Sequence, residues 1–340
     1  MHRSEIAINL GAVRHNVHVL LDALRGSQLW AVVKANGYGH GASDVAGAAI
    51  GAGASALCVA TVPEALALRR DFPSARIIVM GPALNREVGQ ARDARLELVV
   101  SSNDEIPPGV RVHVKLDTGM GRWGVGELTS PALEVVGLMS HLATADTDAA
   151  YAEWQIERFR AATAPYTHLE RHIANSAAAL RYPSAAFDAA RCGIALYGLS
   201  PFGTDPAEDG LRPVLGWSSY VAQSKLLRAG QSTGYGRRFV AERDTWIGIV
   251  PVGYADGFRR DMTGTRVGIA GELRRVVGTV SMDALAVELD GEVVPGTPVV
   301  LVGQGVLAES HAQVADTITY ELVCGIDSSP SRARRTVVDA

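Results

Sequence analysis

Between residues 29 and 197 the chain repeats one pattern: a short apolar run, a turn, then a stretch with helical spacing. The apolar runs fall at 29–34, 56–61, 76–81, 96–101, 111–117, 135–142, 168–175 and within 187–197. Helical patterns fill 42–54, 63–70, 85–94, 147–164 and 176–181. Pro63 suits a first helical turn, and Glu64 suits the positive end of that helix. About eight short strands, mostly separated by helices, are the signature of a (β/α)8 TIM-type barrel. A doubly wound open sheet is the alternative, but no GxGxxG follows the first strand. Two connections are tight. Segment 102–110 contains Pro107 and Pro108, and 124–133 is short. The helices after the fourth and fifth strands are therefore expected to be stunted or missing.

Composition shifts at 200–212, a segment rich in Pro, Gly and Asp. Beyond it, alternating runs at 217–227, 244–251, 266–269, 272–280, 284–289 and 297–303 predict a mostly β domain. The expected division is a barrel over 11–205, opening on a helix at 11–25, and a C-terminal β domain over 206–340. Residues 1–10 carry a strand, 4–10, that can pair with the β domain.

Composition excludes several classes of partner. A net charge of −4 with no basic block argues against nucleic acid and membrane surfaces. No apolar run approaches the ~18 residues of a spanning helix, and no apolar segment backs the charges of the N-terminus. Three scattered cysteines without a CxxC pair fit a reduced, cytoplasmic compartment. The histidines show no metal-ligand spacing, so no metal is expected.

In such barrels the chemistry sits where strands end. The first run ends on Lys34, followed by Tyr38 in the glycine-broken loop ANGYGHG. A lysine closing a buried strand is costly unless paired, bonded or chemically used. The fifth carries Lys115 and ends in DTGMGRWG with Asp117 and Arg122; the sixth ends at His141, the seventh at Asn175-Ser176, and the eighth at Arg191-Cys192-Gly193-Ile194. Each has a plainer reading alone: a snorkelling lysine, a core histidine, a structural ion pair, a helix cap. Together they repeat along one rim. Ser176 with the Gly193 and Ile194 amides would suit a phosphate at the seventh and eighth loops. A strand-end lysine beside a phosphate site suggests pyridoxal phosphate held as a Schiff base.

AVVKANGYGHG, VKLDTGMGRWG, SHLATAD, HIANSAAAL, RCGIALYG, PVGYADGFRR, VSMDAL and TYELVC stand in this order along nearly the whole chain. In this they closely resemble the alanine racemases. That resemblance implies a barrel with a C-terminal β domain, dependence on pyridoxal 5'-phosphate, and a head-to-tail homodimer. The implied activity is interconversion of L- and D-alanine by two bases, supplying D-alanine for peptidoglycan. It also implies roles. Lys34 would anchor the cofactor, and Tyr38, Ser176, Gly193, Ile194 and Tyr320 would bind its phosphate, with Asn175 adjoining. Arg191 would face the ring nitrogen with His141 beside it. Arg122 would meet the phenolic oxygen and the substrate carboxylate. Lys115 matches a position that carries an N-carboxylate in the family. Lys34 would serve as base for the D-isomer and Tyr254, supplied in trans with Met282, for the L-isomer. A tyrosine starts near pKa ~10, so that role needs help from its surroundings. The alternatives are a racemase for serine or a broader range of amino acids, a decarboxylase of the same fold type, and a non-catalytic pyridoxal-phosphate carrier.

Overall fold

The computed structural model describes residues 2–102, 106–129, 132–303 and 305–340. The chain divides into two compact units. One comprises residues 13–202 and 209–212, the other residues 1–12, 203–208 and 213–340.

The first unit is built on eight parallel strands: β1 Gln28–Val32, β2 Ala56–Val59, β3 Ile77–Val79, β4 Glu97–Val100, β5 Val112–Lys115, β6 Val135–Met139, β7 Glu170–His172 and β8 Ala189–Cys192. They are short and mostly Val, Ile, Leu and Ala, because both faces are covered. Neighbours run β7-β6-β5-β4-β3-β2-β1-β8. The remaining seam is bridged by the amides of Asp188 and Arg191, which donate to Arg171 O at 2.9 Å and Ala174 O at 3.0 Å. The barrel expected from the strand count is present, though its strands are shorter than the apolar runs.

Helices Ala42–Gly51, Val62–Asp71, Asn85–Asp93, Ala149–Thr163 and Ser176–Arg181 lie in this unit. The second begins with a capping box: Thr61 accepts from the Glu64 amide, Glu64 accepts from the Thr61 amide, and Pro63 sits in the first turn. Among the described residues no helix follows β4 or β5. Parts of 102–110 and 124–133 lie outside those residues.

The second unit holds a nine-stranded sheet in which Glu5–Asn9 lies between Leu215–Tyr220, antiparallel, and Arg334–Val338, parallel. Alternating burial along Leu215–Tyr220 reflects one covered face. Three features depart from the sequence reading. The run 217–227 is two strands, Leu215–Tyr220 and Gln223–Leu227. Helices Ala308–Val314 and Thr319–Cys324 follow the last expected strand, and Arg334–Val338 closes the sheet.

Candidate functional site

Lys34 stands just past β1, and the four residues behind it have an unusual backbone. Residues 35–38 all have positive φ, between 51° and 63°. Three of them, Ala35, Asn36 and Tyr38, carry a Cβ, so the turn stores strain of roughly 1–2 kcal/mol at each. Hydrogen bonds hold it: the Gly37 amide to Val33 O at 2.9 Å, Gly39 to Ala35 O at 3.0 Å and Gly41 to Asn36 O at 2.8 Å. Glu64 serves twice. Its Oε2 accepts from Ala60 and Thr61 at the helix cap, while its Oε1 accepts from the Ala35 amide at 2.7 Å. The carboxylate that starts a helix thus also clamps the backbone next to Lys34. Ala35→Gly should relieve part of the strain, raising stability by up to about 1 kcal/mol while loosening Lys34. Thermal melts paired with turnover rates check this; a lower melting temperature would contradict it.

Beside this turn lies a compact oxygen-and-amide cradle. Ser176 opens helix Ser176–Arg181, and Asn175 caps it by accepting from the Ala178 amide at 3.0 Å. The Ser176 hydroxyl accepts from the amides of Gly193 and Ala195 at 3.0 and 3.3 Å. A Cβ at Gly193 would come within 2.4 Å of the Tyr38 hydroxyl, so only glycine lets Tyr38 in.

Arg191, on β8, is buried. Its Nη1 donates to His172 Nδ1 at 2.6 Å and His172 O at 3.0 Å. Its Nη2 donates to Ser140 O at 2.7 Å and His141 Nδ1 at 3.2 Å. The Nε–H is the one guanidinium donor with no acceptor among the described residues. Burial draws Arg191 down to about 10, which leaves it charged at neutral pH. His141 is held well below the usual histidine range by burial, then by the charges of Arg191, Lys115, Arg122 and Lys34. Four cations from the ends of three strands therefore act on one imidazole.

Lys115 ends β5 and is buried, with its Nζ 5.4 Å from the Trp123 ring. The Arg122 guanidinium lies 5.3 Å from the same ring. Burial, then Arg122 and Arg191, push Lys115 down to about 8. Asp117 folds the intervening loop by accepting from the amides of Gly119 and Gly121.

Tyr254 and Met282 lie in the β unit and are brought together there. The Tyr254 amide donates to Ser281 O and the Ala255 amide to Met282 O, each at 3.0 Å. A Cβ at Gly253 would fall 2.2 Å from Ser281 O, which explains the glycine before Tyr254. Asp256 is buried; it accepts from the Gly253 amide at 2.9 Å and pairs with Arg3 at 2.7 Å and Arg332 at 2.9 Å. The turn is rigid at its base, yet Tyr254 is 41% exposed and Met282 53% exposed. Tyr320 sits on helix Thr319–Cys324 of the same unit.

The sequence reading overlooked four polar residues inside the barrel: Arg76, Glu97, His113 and His172. The signal was there in VHVK, where His113 stands between two valines of a buried strand.

A parallel barrel with lysines, an arginine and a seryl–glycyl cradle at its strand ends, joined to a β unit, defines an enzyme of the barrel-plus-β-domain class. The family models "Alanine racemase, N-terminal domain" and "Alanine racemase, C-terminal domain" match residues 8–201 and 214–335. The chain belongs to the alanine racemase family. It is 39% identical to alanine racemase 1 of Bacillus subtilis (strain 168), over 96% of this chain and 91% of that one. It is 38% identical to the alanine racemase of Mycolicibacterium smegmatis, over 99% and 95%. The crystal structure of alanine racemase from D-cycloserine-producing Streptomyces lavendulae superposes with a TM-score of 0.92 at 34% identity, covering 100% of this chain and 98% of that one.

Proposed function

We propose that the chain interconverts L- and D-alanine with pyridoxal 5'-phosphate bound at the barrel rim. It acts as a cytoplasmic homodimer and supplies D-alanine for peptidoglycan. The observation that carries this reading is the gathering of Lys34, Lys115, Arg122 and Arg191 around His141, close to the Ser176–Gly193 cradle. Such a rim suits an anionic, phosphate-bearing ligand with a carbonyl for the lysine.

The residues fit the cofactor. Ser176, the Gly193 and Ile194 amides, Tyr38 and Tyr320 would hold the phosphate, and the absent Cβ of Gly193 is what lets the Tyr38 hydroxyl reach the cradle. Arg191 has one donor unspent, its Nε–H, for the ring nitrogen. An arginine donates and does not release its proton, so it would leave that nitrogen unprotonated. When bound, the cofactor supplies an electron-withdrawing ring that acidifies the Cα–H of an attached amino acid. Lys34 would bind it through its amine and, once displaced by the substrate amine, carry the proton on the D face. Tyr254 of the partner subunit would carry it on the L face. Tyr254's exposure on a pinned turn supports a role outside its own unit. Arg122 would hold the substrate carboxylate. Met282 of the partner subunit and Tyr320 would crowd the side-chain pocket and favour alanine over larger residues. Among the described residues no helix is long and apolar enough to cross a membrane, and Cys58 and Cys192 are buried free thiols.

The test is racemisation of a panel of L-amino acids with and without added cofactor. D-alanine should form fastest, and only with cofactor present. Failure to form D-alanine in its presence would refute the reading. Turnover of serine at an equal rate would widen the substrate, since a small apolar pocket rejects one extra hydroxyl weakly.

Lys115 would carry an N-carboxylate that turns its repulsion of Arg122 into attraction. The carbamate forms from the neutral amine. At fixed carbon dioxide pressure its occupancy should therefore rise as pH climbs through about 8, the value to which burial pushes this lysine. Carbon-13 NMR of protein in labelled carbon dioxide measures it, and a missing carbamate signal at every pH would refute it.

A further inference from the structure

Beneath the rim, the barrel interior holds a continuous row of polar side chains for which racemisation gives no direct use. It starts at Glu97, the first residue of β4, whose Oε2 accepts from Arg76 at 2.7 and 3.0 Å. The same oxygen lies 2.9 Å from His113 Nε2. His113 Nδ1 lies 2.9 Å from His172 Nε2, and His172 Nδ1 lies 2.6 Å from Arg191 Nη1. The row thus climbs from the start of one strand to the arginine at the rim.

Its direction is fixed by chemistry. An arginine can only donate, so His172 Nδ1 is an acceptor. Burial first, then Arg191, holds His172 well below the usual range, so the ring is neutral and its proton is on Nε2. His172 therefore donates to His113 Nδ1. Burial likewise lowers His113, so it too is neutral, and its Nε2–H donates to Glu97. Burial opposes ionisation of Glu97, but the bonds from His113 and Arg76 outweigh it and hold the carboxyl at about 2. Every link runs one way: Arg191 to His172 to His113 to the Glu97 carboxylate.

The surroundings are shaped around this row. A Cβ at Gly137 would lie 2.2 Å from His113 Nδ1, so only glycine there leaves the ring its place. Trp30 is fully buried and packs along both rings, 5.7 Å from His113 and 4.5 Å from His172, with the Arg76 guanidinium 4.7 Å from its own ring. Water is kept from the links, which strengthens each of them.

We propose that Glu97, His113 and His172 are positioning residues of the reaction: a one-way hydrogen-bond relay that orients the Arg191 guanidinium and passes the pull of a distant carboxylate to it. The inference rests on the reading of Arg191 as the group beside the ring nitrogen. A carboxylate in direct contact would pair with Arg191 and offset its charge. Two neutral imidazoles in between hold Nη1 without a counter-charge, which leaves the positive field of the guanidinium to the rim. The relay sets how strongly the Nε–H donor binds.

The test uses the full-length protein labelled with nitrogen-15 histidine and arginine, with and without pyridoxal 5'-phosphate. Near neutral pH, His113 and His172 should both be neutral and protonated on Nε2. An imidazolium, or a proton on Nδ1 of either ring, would overturn the relay. Two variants then separate positioning from mere packing. Glu97→Gln keeps an acceptor for His113 but removes the charge. Glu170→Gln removes the other carboxylate on Arg76, which accepts at 2.6 Å and lies off the relay. Glu97→Gln should lower kcat on the order of ten-fold with KM unchanged, and should move the Arg191 Nε–H resonance. Glu170→Gln should leave both nearly as they were. Equal effects of the two variants, with equal losses in melting temperature, would reduce the row to a structural network. If Glu97→Gln fails to fold, the tautomers of the unmodified protein decide alone. Failure of the cofactor reading looks different: added cofactor would leave the Arg191 Nε–H resonance unmoved while the tautomers stay as assigned.

Discussion

Tyr254→Phe is expected to slow interconversion of L- and D-alanine by about 10³-fold, while D-alanine continues to exchange its Cα hydrogen with solvent. The asymmetry follows from the division of labour. Racemisation needs a proton removed on one face and returned on the other, and the variant removes one of the two groups. Lys34 remains, and it can take the D-face proton and return it to the same face. L-alanine has no such partner and should lose its exchange along with its turnover. Chiral chromatography gives the first rate, and proton NMR in deuterium oxide gives the second for each isomer. If both isomers keep exchanging, Tyr254 is not the L-face base. If neither does, the damage lies in the shared site rather than in one face. The fold should tolerate the change, because the turn is held by Asp256 and by backbone bonds to Ser281 and Met282.

Lys34→Ala is expected to abolish both directions, by at least ~10⁴-fold, and to remove the covalently held cofactor's absorbance. Here exchange should vanish for both isomers, since the proposed anchor and the proposed D-face base are the same amine. Lys34 precedes a strained turn fixed by Glu64 and by backbone bonds, none of which uses its side chain. The variant should therefore fold with a near-normal melting temperature. Retention of the cofactor spectrum with full racemisation would overturn the assignment of Lys34.

The barrel was legible because a buried parallel strand is an almost uninterrupted apolar run, and eight of these recur with helices between them. The rim residues were legible for a related reason. An ionisable side chain at the end of such a run is conspicuous, as with Lys34, Lys115 and His141. The interior relay was harder to see, because His113 and Glu97 sit within or at the start of strands, where a polar residue ordinarily reads as an edge. Only the closed barrel brings four separate strands within hydrogen-bond reach. The left-handed turn at 35–38 was half visible: Gly37, Gly39 and Gly41 announced a tight loop, but nothing local foretold positive φ at Ala35. Helices Ala308–Val314 and Thr319–Cys324 were missed because six or seven residues are too few for a clear helical period.

The double clamp on Asp256 bears on how the protein can be handled. Arg3 comes from the very start of the chain and Arg332 from near its end, and both grip the carboxylate that supports the Tyr254 turn. The terminal strands lie side by side, Glu5–Asn9 against Arg334–Val338. Trimming a handful of residues from either end would therefore remove a counter-charge of a buried acid and loosen a turn far away in sequence. Affinity tags and fusion partners belong on linkers that leave both arginines in place, and limited proteolysis at the extremities should unsettle the Tyr254 turn without cutting the barrel.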